Sequence, residues 1–372
     1  MDTERLKRNW AEVAAHGDQV PLFFYSTLFL AHPHLRDMFP LGMANQRDKL
    51  LAALGQVVSH VDDLDAVVPV LQQLGRDHRR FGVVRDHYPA VGQALLATLE
   101  HFSSEWTPEL ARDWAAAYDR VAQVMLAAAD AAGEMPPWWH GTVTAVDRRA
   151  AGIAVLTVRP HAPLPYLPGQ SVAVEVPTRP RLWRWYTPAT LPASDGSFEL
   201  HVRLVPGGQV SPALVMATQV GDVLRLGAPV GTDLVLDDGT RDLLLIAGGT
   251  GLAPFKAIMS QLAHQRSTRF AHLYWGGRTQ RDLYDLAAMR HLCESHSGLR
   301  LVPCVSDEPP SGDVAGGTAV DVALREADWR DHEVYVCGSP EMVRATRDRL
   351  LAAGIPRDQV HLEAFGNQET AT

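Results

Sequence analysis

The sequence predicts a multidomain protein with three successive folds: an all-α domain, an antiparallel β-barrel, and an α/β domain with a parallel sheet. Three patterns predict this order. Apolar residues repeat with a helical period up to about residue 132, then with a period of two up to about residue 237; beyond that, short apolar runs alternate with amphipathic helical stretches. We therefore expect domains at residues 1–134, 135–237 and 238–372. A chain of 372 residues is also too long for one ordinary core.

Apolar spacing predicts the helices of the first domain. One helical face is marked at i, i+4, i+7, i+8 and i+11 by Leu50, Leu54, Val57, Val58 and Val61. The run Gly133-Glu134-Met135-Pro136-Pro137 then ends the last helix, because a proline pair after a glycine does not continue it. This run is the expected domain boundary.

Two further patterns predict the sheets. A period of two, broken by turns rich in Gly and Pro, is typical of a small antiparallel barrel or sandwich and covers Gly141–Asp147, Ile153–Val158 and Phe198–Val205. Continuous apolar runs follow at Leu243–Ala247, His272–Trp275, Leu299–Cys304 and Glu333–Cys337. Strands that are apolar throughout are buried on both faces, so these runs predict a parallel sheet covered by helices.

Composition excludes several classes of partner. The formal charge is -9 and no long basic run occurs, which argues against a nucleic-acid partner. No stretch of about 18 apolar residues predicts a membrane span. The polar start, Met1 to Trp10, lacks the apolar core of a secretory signal, so we expect a cytoplasmic location.

Two motifs in the second and third domains suit cofactor chemistry. The turn Gly248-Gly249-Thr250-Gly251 joins a strand to a helix, where backbone N–H groups can meet a pyrophosphate; the alternative is a plain tight connection. The run Arg184-Trp185-Tyr186-Thr187-Pro188 offers a guanidinium for a diphosphate, an aromatic ring that can cover a flavin, and a hydroxyl for a ring nitrogen. Alone, this run would be an ordinary amphipathic strand.

Further motifs follow in a fixed order: Pro168-Gly169-Gln170, Gly207–Ser211, Cys337–Glu341 and Glu363–Phe365. Together the motifs resemble the ferredoxin–NADP reductase-like family over about 230 residues. The resemblance implies that Arg184, Gly208, Gln209, Val210 and Ser211 hold the FAD diphosphate, while Tyr186 and Thr187 contact the isoalloxazine. It also implies that Gly249, Thr250 and Gly251 bind the nicotinamide dinucleotide, that Cys337 and Gly338 border the nicotinamide, and that Phe365 shields the flavin with Glu363 nearby. Thr187 departs from the family's usual Ser but keeps the hydroxyl.

His78 stands out among 16 histidines by its surroundings. It lies in Leu74–Val83, which His87–Gly92 follows and which Phe24-Tyr25, His32–Phe39 and Asn45–Arg47 precede. This order closely resembles the globin domain of flavohemoglobins, and with the reductase motifs the match covers almost the whole chain.

The resemblance implies that His78 is the proximal iron ligand of a haem b. Phe39 would pack against the porphyrin, and Tyr25 and Gln46 would face the distal side where dioxygen binds, with Leu50 one turn beyond Gln46. A phenol O–H and an amide N–H suit that role, because both donate to the negative charge that oxygen acquires. The alternatives are a half-buried helix tyrosine and a solvated glutamine.

The proximal side departs from the family, whose members often hydrogen-bond the ligand imidazole to a Tyr and a Glu. Tyr88 matches that Tyr, but the Glu position falls on Ala129, which implies a weaker electron push onto iron. A register shifted by one residue would instead supply Asp130.

The resemblance implies a nitric oxide dioxygenase in which NAD(P)H reduces FAD and FAD reduces haem. Its expected partners are small molecules (dioxygen, nitric oxide and the nicotinamide nucleotide), with no obligate protein partner. The alternatives are a haem and flavin reductase acting on peroxide or other acceptors, and a globin gas sensor. NADH is slightly favoured, because Asp282 and Asp285 would oppose a 2′-phosphate that Arg278 and Arg281 would otherwise hold.

Overall fold

The structure, a computed structural model, describes residues 1–365. Contacts divide the chain into two compact units, the first ending at Pro137 and the second beginning at Trp138. Residues 366–372 of the predicted third domain lie outside the described part of the chain.

The first unit is helical. Its α-helices are α1 (Thr3–Ala14), α2 (Gln19–Ala31), α3 (Ala44–Ser59), α4 (Val68–His78), α5 (His87–Phe102) and α6 (Pro108–Ala131). Side chains cap the N-termini of α1 and α6. Asp2 accepts a hydrogen bond from the N–H of Arg5, and Thr107 accepts one from the N–H of Leu110. The core encloses Leu6, Leu28 and Leu99.

Contact between α4 and α6 is unusually close. Gly75 of α4 faces Met125 of α6, and a Cβ on Gly75 would lie 2.2 Å from the Met125 carbonyl oxygen. A larger residue would therefore push the two helices apart. The close approach fixes the end of α4, where His78 is the last residue.

The second unit begins with a six-stranded antiparallel sheet. Its strands are β1 (Trp139–Ala150), β2 (Ile153–Pro160), β3 (Val172–Glu175), β4 (Trp183–Tyr186), β5 (Phe198–Arg203) and β6 (Val223–Leu226), in the spatial order β4-β3-β6-β1-β2-β5. Pro188 and Leu200 form an isolated bridge that links the end of β4 to β5. The two edges of the sheet thus approach each other, which closes it into a barrel. A helical turn α7 (Val210–Pro212) follows β5.

A parallel sheet completes the second unit. Its strands are β7 (Leu243–Gly248), β8 (Ala271–Gly277), β9 (Leu299–Val305), β10 (Ala315–Gly316), β11 (Glu333–Gly338) and β12 (Val360–Ala364), in the order β10-β9-β8-β7-β11-β12. The connecting helices are α8 (Leu252–Gln265), α9 (Leu286–Glu294), α10 (Ala319–Glu326) and α11 (Pro340–Ala352). Every residue of β11 is buried, as the continuous apolar run predicted.

The observed order of an all-α domain, an antiparallel barrel and a parallel α/β sheet confirms the predicted fold class. Within residues 1–365, no helix combines the length and the apolar character that crossing a membrane requires.

Candidate functional site

His78 has the protonation and orientation that an iron ligand needs. Its Nδ1 lies 2.7 Å from the carbonyl oxygen of Leu74, one turn earlier in α4. A carbonyl only accepts, so Nδ1 carries the proton and Nε2 keeps its lone pair. Burial lowers the pKa of the imidazole, which keeps the ring neutral. A neutral imidazole with a free Nε2 lone pair fits a haem group.

Tyr25 and Phe39 meet in an aromatic cluster in the same unit. Tyr25 is 6% exposed, and its ring centroid lies 5.5 Å from that of Phe39 and 5.7 Å from that of Phe29. The phenol donates a hydrogen bond of 3.3 Å to the backbone carbonyl of Gln46. Burial raises the pKa of Tyr25 to about 12, so the hydroxyl stays a donor at neutral pH.

The structure therefore places the Tyr25 hydroxyl beside the backbone of Gln46. The Gln46 side chain is half-buried, and Leu50 packs partly buried against the same core. Tyr25, Phe39, Gln46 and Leu50 thus lie around one region of the core, as their predicted roles require.

Neither predicted proximal partner hydrogen-bonds to His78 within residues 1–365. Tyr88 packs against the small cluster that contains Leu71 and Met125. Asp130 accepts a 2.7 Å hydrogen bond from Arg85, and both side chains are about two-thirds exposed, at 66% and 65%. Asp130 therefore points to the surface, and a one-residue shift of register does not bring its carboxylate to the imidazole.

Thr187, which is predicted to contact the flavin ring, belongs to a hydrogen-bonded chain that ends at Glu363. The hydroxyls of Thr187 and Ser171 lie 2.9 Å apart, and Ser171 donates to Glu363 Oε1 at 3.0 Å. Burial raises the pKa of Glu363 to about 7, although the Ser171 hydrogen bond opposes the shift. The chain joins β12 of the parallel sheet to the barrel, because Thr187 directly follows β4.

The predicted diphosphate loop is tightly folded. Gly208 N–H donates to the Val205 carbonyl at 3.0 Å, and Val205 N–H donates to Ser211 Oγ at 3.1 Å. Val210 is buried and begins α7, with Gln209 as its N-cap residue. A short loop held this way presents its remaining N–H groups in fixed directions, which suits a phosphate group.

Arg184 and Tyr186 lie on β4, two residues apart and hence on one face of the strand. Arg184 Nη1 donates to the Trp183 carbonyl at 2.9 Å. Burial raises the pKa of Tyr186, while the Arg184 charge opposes the shift. An arginine beside an enclosed aromatic ring fits a diphosphate attached to a flat ring system.

The nucleotide motifs converge at the carboxyl ends of β7 and β11. A Cβ on Gly251 would lie 2.2 Å from the Cys337 carbonyl oxygen, so only glycine allows this approach. Trp275 Nε1 donates to the Gly249 carbonyl at 2.9 Å, which fixes the turn that also contains Thr250. This end of a parallel sheet, with a helix beginning at the turn, is where such folds bind dinucleotides.

The last described residues close the same region. Phe365 N–H donates to the Gly338 carbonyl at 2.6 Å, and Glu363 pairs with Cys337 across β11 and β12. Cys337 is fully buried, and burial raises the pKa of its thiol. The structure thus brings all the predicted nicotinamide and flavin-edge residues to one end of the parallel sheet.

Three family models match the chain in the order of the fold. They are Globin over residues 22–125, Oxidoreductase FAD-binding domain over 146–233 and Oxidoreductase NAD-binding domain over 245–348. The flavohemoprotein of Deinococcus radiodurans is 30% identical over 386 residues, covering 96% of this chain and 94% of that protein. The chain belongs to the flavohemoprotein family. The flavohemoprotein of Chromobacterium violaceum is 29% identical over 387 residues, covering 95% and 94% of the two chains.

Solved structures share this fold. The flavohemoglobin of Malassezia yamatoensis, determined with bound FAD and heme, superposes with a TM-score of 0.78 at 19% identity and covers 98% of both chains. The Amycolatopsis cytochrome P450 reductase GcoB superposes with a TM-score of 0.57 at 32% identity and covers 61% of this chain and 69% of its own. Together with the family models, these matches confirm haem, FAD and a nicotinamide nucleotide as the cofactors, and NAD(P)H-driven electron transfer to haem follows from the two modules.

Sequence reasoning did not identify Ser171, which the fold of this flavohemoprotein places between Thr187 and Glu363. Ser171 directly follows the motif Pro168-Gly169-Gln170, which does not itself include it. Its partner Glu363 lies 192 positions away along the chain. Only the fold brings the two side chains together.

The carboxylates of Asp282 and Asp285, near the nucleotide motif, are both engaged in hydrogen bonds within the protein. Asp282 Oδ2 accepts from the N–H groups of Arg278 and Thr279 at 3.1 and 2.9 Å and caps the next turn. Asp285 is buried and accepts from Lys256 Nζ at 2.8 Å and from Arg149. Arg278 and Arg281 are exposed.

Proposed function

We propose that the protein is a nitric oxide dioxygenase that uses NAD(P)H, FAD and haem to convert nitric oxide and dioxygen to nitrate. The observation that carries the proposal is the buried Tyr25 phenol, which stays protonated at neutral pH in the unit that also contains His78. When bound, haem supplies iron that takes up oxygen, and FAD divides a hydride pair into single electrons.

In this proposal, residues of the first unit bind the haem iron and polarise its distal ligand. His78 Nε2 would hold the iron, with the imidazole oriented by the Leu74 carbonyl. Phe39 and Leu50 would pack against the porphyrin and keep water out. Tyr25 would turn its O–H from the Gln46 carbonyl, a long contact of 3.3 Å, toward the distal ligand. The Gln46 amide would add a second donor.

The second unit's residues position the two rings between which hydride passes. Arg184 and the loop Gly207–Ser211 would hold the FAD diphosphate, and Tyr186 would pack against the isoalloxazine. Thr187 and Ser171 would hold a hydroxyl pair at its edge, backed by Glu363. Phe365 would cover the flavin until the nicotinamide displaces it, with Cys337 and Gly338 bordering the nicotinamide.

Peroxide cleavage is the less favoured activity. It benefits from a carboxylate that pushes electron density onto iron through the imidazole. Here Ala129 has no carboxylate, and Asp130 is occupied at the surface by Arg85. The His78 imidazole is held by a neutral carbonyl, so we expect weak peroxidase activity. We also expect a cytoplasmic location and no obligate protein partner.

The positions of Asp282 and Asp285 bear on the choice between NADH and NADPH. The slight preference for NADH depended on Asp282 and Asp285 opposing a 2′-phosphate. Because Asp282 caps a turn and Asp285 is buried against Lys256, we propose that Arg278 and Arg281 are free to accept NADPH as well. Comparing KM for NADH and NADPH in flavin reduction tests this.

One experiment tests the main proposal. Purified holoprotein receives nitric oxide under oxygen with NADH or NADPH, and nitrate is measured against nitric oxide consumed. We expect nitrate in equal amount, and absorption showing haem and flavin together. Turnover of peroxide or ferric chelates without nitrate would contradict the proposal. His78→Ala should lose haem and this activity while retaining nucleotide-driven flavin reduction.

A further inference from the structure

Glu175 is a buried carboxylate that the proposed function does not use. It is 4% exposed and ends β3, where it pairs with Trp183 at the start of β4. One carboxylate oxygen accepts a hydrogen bond of 3.0 Å from Arg225 Nη1 of β6, and the other accepts from the backbone N–H of Arg181. A buried charge is costly unless it is hydrogen-bonded, so the loss of either bond would be unfavourable. The second bond fixes the turn that leads into β4.

The turn between β3 and β4 has an unusual residue at its third position. Leu182 N–H donates to the Arg179 carbonyl at 3.3 Å, which closes the turn. Pro180 is its second residue, and Arg181, its third, has a φ of 66°. This is the pattern of a type II turn, whose third residue is normally glycine because φ is positive there. Arg181 therefore needs support from outside the turn, and the bond from its N–H to Glu175 supplies that support.

The conformation of this turn determines how the chain enters β4. Arg184 lies on β4, two residues beyond Leu182, and in the proposed function it binds the FAD diphosphate. If Arg181 relaxed to a negative φ, the chain would enter β4 in another direction and the Arg184 guanidinium would be displaced. An arginine binds a diphosphate through paired hydrogen bonds of defined direction, so a displaced guanidinium binds it less tightly.

We propose that Glu175 is a positioning residue for FAD. Its carboxylate holds the backbone of Arg181 at a positive φ, and the turn thereby positions Arg184 to bind the diphosphate. Arg225, whose side chain is 47% exposed, balances the charge of Glu175 without contacting the turn through a hydrogen bond. The inference rests on the role of Arg184 in the proposed function, and its readout is flavin affinity, which requires neither haem turnover nor nitric oxide.

The first test compares the FAD affinity of wild type, Glu175→Ala and Arg225→Gln. Each purified holoprotein is diluted, and the recovery of flavin fluorescence on FAD release gives Kd. We expect Kd to rise roughly 10-fold in Glu175→Ala, because a hydrogen bond to a charged group is lost and the turn relaxes. Arg225→Gln is the matched control, since it removes the half-exposed ion pair but keeps the bond to the Arg181 N–H. Its Kd should stay within about 2-fold of wild type.

Substitutions at Arg181 test the backbone mechanism itself. Glycine adopts a positive φ without strain, so Arg181→Gly should bind FAD as wild type does, and the double variant Glu175→Ala/Arg181→Gly should recover most of the affinity lost in Glu175→Ala. Arg181→Pro has no N–H and a negative φ, so it should weaken FAD binding. This variant leaves the buried side chain in place, and it therefore gives the same test if Glu175→Ala does not fold.

Riboflavin separates the turn from a general loosening of the barrel. It carries the ring system of FAD but has no phosphate for Arg184 to bind. After FAD is removed from the full chain, Glu175→Ala should bind riboflavin as tightly as wild type does, although it binds FAD more weakly.

Three results would overturn the inference: an unchanged Kd for FAD in Glu175→Ala or Arg181→Pro, a double variant that binds FAD as weakly as Glu175→Ala, or an equal loss of riboflavin affinity. The last result would make Glu175 a general stabiliser of the barrel. Arg184→Gln separates the inference from the proposed function. If this variant binds FAD as tightly as wild type, the proposed role of Arg184 is wrong. If it binds FAD weakly while Glu175→Ala binds FAD normally, only the positioning role of Glu175 is wrong.

Discussion

At the scale of single residues, the proposed function gives two side chains of the first unit different tasks. His78 is neutral and oriented by the Leu74 carbonyl, which leaves Nε2 to bind a metal. Tyr25 is buried, and burial holds its pKa at about 12, so its hydroxyl donates at any physiological pH. In the proposed function His78 binds the iron and Tyr25 polarises the bound ligand, so we expect mutations of the two residues to have different effects.

Tyr25→Phe should therefore spare haem binding and impair turnover. The ring still packs against Phe39, but the O–H is lost, and removing one such donor typically lowers rates by about 10²-fold or more. We expect nitric oxide consumption to fall to that extent with a normal haem absorption spectrum. Phe29→Leu is the control, since it alters the same aromatic cluster without removing a donor. Equal losses in both variants would contradict a specific role for the phenol.

The raised pKa of Glu363 should make the free energy of unfolding depend on pH. Burial raises the pKa of its carboxyl from 4.5 to about 7, so the folded protein binds the proton more tightly than the unfolded chain. The resulting stability is present at acidic pH and is lost as pH rises through 7. Glu363→Gln cannot ionise and keeps the oxygen that accepts from Ser171. The variant should gain up to about 3 kcal/mol relative to wild type between pH 5 and 8.5. Unfolding curves that differ by a constant amount across this range would contradict it.

Some residues of the candidate site could be predicted from the sequence and others could not. The motifs around His78 singled it out among the histidines, and its role as iron ligand stays a prediction; the structure adds that its Nδ1 faces the Leu74 carbonyl. The proximal register between Ala129 and Asp130 was undecidable from spacing alone, and the side-chain direction of Asp130 toward Arg85 decided it. Ser171 was not identified, since its partner Glu363 belongs to a different sheet.

At the scale of elements, the strand–turn–helix unit β7–α8 depends on one glycine. A Cβ on Gly251 would lie 2.2 Å from the carbonyl oxygen and 2.6 Å from the carbonyl carbon of Cys337, and backbone of a buried strand cannot move aside easily. Gly251→Ala should therefore lower stability by roughly 1–3 kcal/mol and weaken NADH binding. Thermal unfolding and the Kd for NADH measure the two effects. Gly42→Ala, where a Cβ would meet nothing within 4 Å, should change neither. Identical behaviour of the two variants would rule out the close contact.

Strands could be predicted from the sequence where burial imposes a pattern of apolar residues. The continuous apolar runs identified β7, β8, β9 and β11, since strands inside a parallel sheet are covered on both faces. The two-residue strand β10 and the bridge between Pro188 and Leu200 carry no period of their own. The period of two with Gly and Pro turns predicted a small barrel or sandwich. It could not predict which residues close the barrel, because those contacts depend on tertiary packing.

At the scale of the whole molecule, the two sheets of the second unit share a buried ionic cluster. Lys256 of α8 donates to Glu199 of the barrel and to Asp285, each at 2.8 Å, and Arg149 of the barrel also pairs with Asp285. His201 of the barrel completes it, with Nδ1 2.7 Å from the hydroxyl of Tyr284. Charges from both sheets neutralise each other here, which couples the flavin part and the nucleotide part of the unit.

Lys256→Met should weaken the association of the barrel with the parallel sheet and lower the free energy of unfolding. The substitution leaves Asp285, whose side chain is 1% exposed, and Glu199 with fewer partners, and breaking a buried pair this way typically costs about 3–5 kcal/mol. Arg290→Gln is the control, because its pair with Asp313 has side chains 44% and 63% exposed and is expected to contribute under about 1 kcal/mol. Denaturant unfolding followed by flavin release should therefore shift strongly for Lys256→Met and little for Arg290→Gln. If both variants unfold at the wild-type denaturant concentration, the cluster does not couple the two sheets, and hydride transfer geometry must depend on apolar contacts instead.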